Sequence, residues 1–279
     1  MTQKPYIIVL GNEKGGTGKS TVSMHLIVSL LRQGLTVGSI DVDARQGTLT
    51  RYIENRALRK ASKQQDLPMP DHAPIFKSDL SDKNEAEADE RRRFDAQLEG
   101  FSDKDYIVID TPGSDSYLSR LAHSHADTLI TPLNDSFIDL DMLVRVNSES
   151  LDILKPSTYS EMVWDQKKQK AIRSNGSIDW IVLRNRLSSL YSRNKEEMDK
   201  VLGALSKRIG FRSLPGFGER VIFRELFLSG LTLLDMRENN LTMSLSHIAA
   251  KQELASLMEM IQLPPKQMGA VNMPKQASA

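Results

Sequence analysis

The chain has 279 residues, 39% of them hydrophobic, enough to bury one large α/β core, since single domains of about 200–250 residues are common. It contains no cysteine, which excludes a disulfide framework and any thiolate metal or iron–sulfur site and points to a reducing cytoplasm. The formal net charge of +1 gives no global case for nucleic-acid binding, but residues 79–105 carry ten acidic and five basic side chains and residues 184–224 carry ten basic and four acidic; the second stretch is a candidate surface for a polyanion.

Polar residues after Met1 lead into the apolar run Tyr6-Ile7-Ile8-Val9-Leu10. This run is too short for the apolar stretch of a signal sequence, and no segment reaches transmembrane length, so a soluble protein with no membrane partner is expected. The run ends at Gly11 and reads as a central parallel strand covered on both faces. A glycine-rich loop follows, after which Val22, Leu26, Ile27, Leu30 and Leu31 recur at helical spacing up to a capping Gly34.

Residues 36–40 read as a second strand that delivers Asp41 and Asp43 to its carboxyl end. Pro68, Pro70 and Pro74 and the acidic stretch after them predict an irregular surface insertion over about 61–90, leading into a helix around 84–99. Buried-strand patterns return at residues 106–110, 128–130 and 180–183, separated by helix-compatible segments. Such alternation predicts an α/β fold with a mostly parallel, doubly wound sheet flanked by helices. Residues 245–261 place Leu245, Ile248, Leu254, Leu257, Met258 and Ile261 on one helical face, expected to pack on the sheet. One domain over 1–263 is expected, and the proline-punctuated stretch 264–279 reads as a disordered tail.

The loop between first strand and first helix carries the most specific chemistry. Successive glycines let backbone N–H groups converge on phosphate oxygens at a helix N-terminus. In Gly15-Gly16-Thr17-Gly18-Lys19-Ser20-Thr21, Lys19 is placed to neutralise the β- and γ-phosphates and Ser20 to ligate Mg²⁺. The common phosphate-loop pattern has glycine where this chain has Glu13, with Lys14 beside it. That departure resembles the deviant phosphate loop of the ParA/MinD family of P-loop ATPases.

The resemblance implies ATP and Mg²⁺ as ligands and a homodimer in the ATP-bound state, in which Lys14 reaches the partner's phosphates. It implies that Asp43, in Asp41-Val42-Asp43-Ala44-Arg45-Gln46, orients the attacking water and borders the metal shell, with Asp41 supporting that shell. Asp110, in Asp110-Thr111-Pro112-Gly113, resembles the Walker B aspartate that holds an Mg²⁺-bound water. Asn185, in Leu183-Arg184-Asn185-Arg186, matches the family's adenine-contacting asparagine. Turnover is expected to be slow.

The basic stretch by itself could be the solvated face of a helix over 193–208. Residues 220–226 and 230–235, however, resemble the C-terminal signature of ParA-type ATPases, which implies nonspecific DNA-backbone contacts from Arg193, Lys195, Arg220 and Arg224. The phosphate loop, Asp110–Ser116, Thr131–Asp139, Asp179–Arg186 and Arg224–Asp235 together are similar to the MipZ group of division-plane regulators, over about residues 5–262. That likeness implies nucleoid DNA, the centromere-binding protein ParB and the tubulin-like FtsZ as partners, and a nucleoid-associated polar gradient. A chromosome or plasmid partition ATPase shares every catalytic feature. A membrane-cycling MinD-like ATPase would need a basic amphipathic C-terminal helix in place of Pro264-Pro265-Lys266-Gln267.

Overall fold

The computed structural model describes residues 4–146, 153–187, 193–236 and 244–265. In chain order these form β1 (Tyr6–Leu10), α1 (Lys19–Arg32), β2 (Val37–Asp41), α2 (Thr48–Lys63), β3 (Asp71–Pro74), α3 (Lys83–Gly100), β4 (Tyr106–Asp110), α4 (Tyr117–His125) and β5 (Thr128–Asn134). There follow the one-turn α5 (Phe137–Leu140), β6 (Val144–Val146), β7 (Ile153–Pro156), α6 (Thr158–Ser174), β8 (Asp179–Asn185), α7 (Arg193–Leu205) with a π-turn at Ser206–Gly210, β9 (Arg212–Pro215), α8 (Ile222–Ser229) and α9 (Leu245–Ile261).

Seven strands make one sheet in the order β3-β2-β4-β1-β5-β8-β9, and every pairing in it is parallel. β6 and β7 form a separate antiparallel pair. Both faces of the sheet are covered, which is why its central strands are continuous apolar runs. Along β1, Val9 joins one core layer with Phe94, Leu118 and Trp180, while Ile8 and Leu10 join the other with Met24, Tyr52 and Leu254. The chain leaves β1 toward β2 on one side and later reaches β5 on the other, so the carboxyl ends of β1, β2 and β4 open onto a crevice, the usual ligand position in such sheets.

Two expectations change. The stretch 61–90 is not wholly irregular: α2 extends through Lys63 and β3 pairs with β2 from Gly38↔Asp71 to Asp41↔Pro74. Asp-His-Ala-Pro lacks an apolar pattern because β3 is an edge strand, where proline is tolerated. The helix after it, α3, is capped by Asp82, whose side chain accepts from the N–H groups of Asn84 and Glu85. In α9 the bounds agree, but Leu245 and Ile248 are exposed and the buried face is Ala250, Leu254, Leu257 and Ile261. Most of the expected tail lies outside the described residues; Pro264 accepts a hydrogen bond from the Tyr106 hydroxyl at 2.5 Å.

Candidate nucleotide site

The loop between β1 and α1 turns at Gly16 and Gly18, whose φ values of 74° and 93° lie in the left-handed region that side chains rarely adopt. Lys19 opens α1 and is buried. Its Nζ donates to the carbonyls of Asn12 and Lys14, both at 3.1 Å. Burial lowers its pKa while Asp110 and Asp43 oppose the shift, so a desolvated cation sits in the field of two carboxylates.

Asp110 ends β4 and is fully enclosed. It accepts from Ser20 Oγ at 2.5 Å and from Ser23 Oγ at 3.1 Å. Burial, and then the neighbouring Asp41, push its carboxyl up to about 7. Ser20 and Asp110 are hard oxygen donors held side by side. Among the described residues no cluster of three or more His, Cys, Asp or Glu could hold a metal. That donor set suits Mg²⁺, which takes one or two protein oxygens and fills its remaining positions with phosphate and water.

Asp41, at the end of β2, has both oxygens engaged. Oδ1 accepts from the Asp43 N–H at 3.0 Å, and Oδ2 from the Thr50 N–H at 3.0 Å and hydroxyl at 2.9 Å. It therefore ties the loop 42–47 to the first turn of α2. Asp43, half-buried, is raised in pKa by burial first and by Asp41 second. It lines a cleft of about 660 Å³ together with residues 15–21, Arg45, Gln46 and residues 111–114. The Asp110-Thr111-Pro112-Gly113 turn lies directly on the glycine loop: a Cβ on Gly113 would come within 2.8 Å of the N and Cα of Gly15.

Lys14 does not line this cleft. Its ammonium pairs with Asp139 of the same chain, whose other oxygen accepts from the Asn134 N–H at 3.2 Å. Asn12 supports the turn, donating to the Pro132 carbonyl at 2.6 Å and accepting from the Lys14 N–H at 2.8 Å. The sequence assigned no role to Asp139, although it lies within the Thr131–Asp139 stretch singled out above.

A second cavity of about 370 Å³ adjoins the cleft, with Phe217, Phe223 and Asn185 in its wall. Asn185 Nδ2 donates to the Thr17 carbonyl at 2.8 Å and Oδ1 accepts from the Phe217 N–H at 3.3 Å. The amide thus joins the phosphate loop to the 216–218 turn at the base-sized cavity. A Cβ on Gly18 would lie 2.3 Å from Asn185 Nδ2, so glycine is required there twice, for its φ and for this approach.

The family model described as ATPase MipZ matches residues 6–265. The chain belongs to the MipZ family. Its fold is that of the ParA/MinD P-loop proteins. The ATP complex of a Cyanothece McdA variant superposes with a TM-score of 0.60 at 18% identity, covering 95% of this chain and 100% of that one. The septum site-determining protein MinD of Pyrococcus horikoshii OT3, complexed with Mg-ADP, superposes at 0.55 and 18%, covering 92% and 96%. Among curated proteins, VirC1 of Rhizobium radiobacter is 30% identical over 128 residues, 46% of this chain and 48% of that protein. The chain thus spans about half the length of the curated relatives it matches.

In this member of the MipZ family the four cations expected at DNA differ in availability. Arg193 and Lys195 lie in the first turn of α7, and their side chains are outside the described residues. Arg224 is exposed on α8. Arg220 is committed: Nη1 and Nη2 grip Glu253 of α9 at 2.6 and 2.7 Å, and Nε donates to Ser246 Oγ at 3.2 Å. A phosphate would have to break that bidentate pair, so Arg220 serves first to hold α9. Arg184 is committed likewise, to Asp135 at 2.5 Å and to Asp199 of α7. Among the described residues no helix is long and apolar enough to cross a membrane.

Proposed function

We propose that this protein is a nucleotide-gated dimer switch that hydrolyses ATP slowly and sets the division plane. Its ATP-bound dimer holds nucleoid DNA nonspecifically, it meets ParB, and it inhibits FtsZ polymerisation. One observation carries the switch: Lys19 is buried in its own loop, whereas Lys14 lies outside its own cleft with its ammonium on Asp139. A lysine that does not serve its own phosphates is free to serve a partner's once it leaves Asp139. Membership in the MipZ family supports the division role.

In the proposed reaction water attacks the γ-phosphorus in line, the bond to the β–γ bridging oxygen breaks, and ADP and phosphate leave. Asp43 orients the water, Lys19 neutralises the β- and γ-oxygens and Lys14 of the partner adds charge from outside. Ser20 and Asp110 would hold Mg²⁺, which when bound neutralises the β- and γ-oxygens. Of Asp41, Asp43, Asp110 and Asp139, Asp43 is the one that lines the cleft, its carboxylate taking the Gln46 N–H, which supports it as the group that meets the water. With no strong base at the water, turnover is slow.

DNA contact through Arg224 and the start of α7 is weak for one copy, and pairing two copies on one duplex raises it through effective concentration. The test is sedimentation with ATP, with and without DNA. Asp43→Ala should remain a DNA-holding dimer, while Lys14→Ala should stay monomeric and release DNA. A Lys14→Ala protein that dimerises like the parent would refute the role given to Lys14. ATP-locked protein that leaves FtsZ assembly untouched would refute the division role and leave a partition ATPase.

A further inference from the structure

Arg186 follows Asn185 at the carboxyl end of β8, and it holds φ at +51°, a left-handed conformation that costs a long side chain about 1 kcal/mol or more and persists where the surroundings over-determine it. Its backbone direction is fixed on both sides: the Gly216 N–H donates to the Arg184 carbonyl at 2.7 Å and the Leu187 N–H to the Phe217 carbonyl at 3.1 Å. The strain delivers the side chain to the site. Arg186 lines both the 660 Å³ phosphate cleft and the 370 Å³ cavity beside it.

Among the described residues four are common to the two walls: Gly18, Thr21, Thr48 and Arg186. They mark the passage between the compartment for the phosphates and the one with the aromatic walls. Of the four, Arg186 alone carries charge. It is exposed, and among the described residues its guanidinium makes no hydrogen bond or ion pair, in contrast to Arg184 and Arg220, which are held by carboxylates. Lys19 lines the cleft but not the cavity, in the field of Asp110 and Asp43. A nucleotide with its base against Phe217 and its terminal phosphates at Lys19 would lay its α-phosphate and ribose across this passage.

We propose that Arg186 is a nucleotide-binding residue that neutralises the α-phosphate at the junction of base and phosphate compartments. The proposal rests on the nucleotide-binding reading above and adds a residue to it. Division of labour follows from charge: Lys19 serves the outer phosphates, and Arg186 supplies a planar, multidentate donor to the innermost one. The effect must then be shared by every adenine nucleotide that has an α-phosphate and be absent for adenosine.

The experiment measures dissociation constants by calorimetry for adenosine, AMP, ADP and the slowly hydrolysed analogue AMPPNP, with the parent, Arg186→Ala and Arg186→Lys. Arg186→Ala should weaken AMP, ADP and AMPPNP alike by about tenfold, the size of one charge-assisted hydrogen bond, and leave adenosine unchanged, with partial recovery in Arg186→Lys. Unchanged ADP and AMPPNP affinity in Arg186→Ala overturns the proposal, as does an equal loss for adenosine, which would make Arg186 a wall of the base cavity. If nucleotide affinity stays and only duplex-DNA affinity falls, Arg186 belongs to the DNA surface and the proposal is again overturned. A parent protein that binds no nucleotide would sink the nucleotide-binding reading itself and this inference with it.

Discussion

Gly15 and Gly113 touch across the mouth of the cleft and answer to different constraints. A Cβ on Gly113 would meet the backbone of Gly15 at 2.8 Å, whereas a Cβ on Gly15 would meet nothing within 4 Å. Among the described residues nothing within one chain therefore explains a glycine at 15, while a partner packed face to face through nucleotide would. Gly15→Val should fold with a thermal midpoint close to the parent's and bind ATP, yet fail to dimerise, which analytical ultracentrifugation reads. Gly113→Ala should lose about 1–3 kcal/mol of stability from overpacking against rigid backbone. A Gly15→Val protein that still forms the ATP dimer would mean that the open space at Gly15 faces solvent in the dimer too.

At the scale of elements, the loop after α8 holds the layer formed by α1 and α2. Asp235 is fully buried, and Arg56 of α2 meets it with Nη1 at 2.7 Å and Nη2 at 3.0 Å, while Arg32 of α1 adds a third contact at 2.7 Å. Those arginines hold the Asp235 carboxyl well below the usual carboxylate range against the opposing effect of burial. Removing one partner strands a buried cation, so Asp235→Ala should cost about 3–5 kcal/mol in urea unfolding. A loss below about 1 kcal/mol would mean that Arg56 finds water or another acceptor. The residues 230–235, whose likeness to a ParA-type signature suggested a DNA role, thus contain a structural clamp. The sequence could not announce it because Arg56 and Asp235 stand 179 positions apart. Central strands such as β1, β4 and β8 were legible because two-sided burial writes itself as an apolar run. Edge strands β3 and β9 were not, since one open side relaxes that pattern. The phosphate loop was legible because backbone geometry and charge dictate its residues one by one. Asp139 and Arg186 were not, because what each faces is decided only when α5 and β8 are folded against the loop.

At the scale of the whole molecule, burial lowers the pKa of four imidazoles among the described residues, and the three lowered furthest, His25, His123 and His125, dominate the response to acid. Burial holds His25 and His123 at about 4 and His125 at about 3. His25 packs against both Phe217 and Phe223, which touch each other, and accepts from the Leu233 N–H at 3.3 Å; His123 abuts Tyr159 and donates or accepts across 3.3 Å to its hydroxyl. Because each folded pKa is depressed below the unfolded value of about 6.5, the stability these rings contribute is fully present above that pH and is lost as pH falls toward 4. At about 1.4 kcal/mol per unit, the loss is roughly 3 kcal/mol for each ring. Asp110 has the opposite sign: its raised pKa of about 7 favours the protonated fold, so in the nucleotide-free protein its contribution grows as pH falls from 7 toward 4. That gain of about 4 kcal/mol offsets little more than one of the three imidazoles; Asp43 and Glu13, raised by burial as well, act in the same direction. Urea unfolding of the nucleotide-free protein should therefore show a net fall in stability between pH 6.5 and 4.5, and Asp110→Asn, which cannot ionise, should steepen that fall. A flat profile over this range would mean that the three rings reach solvent or take up protons without unfolding, and that the two core layers are looser around α1 and α4 than their packing implies.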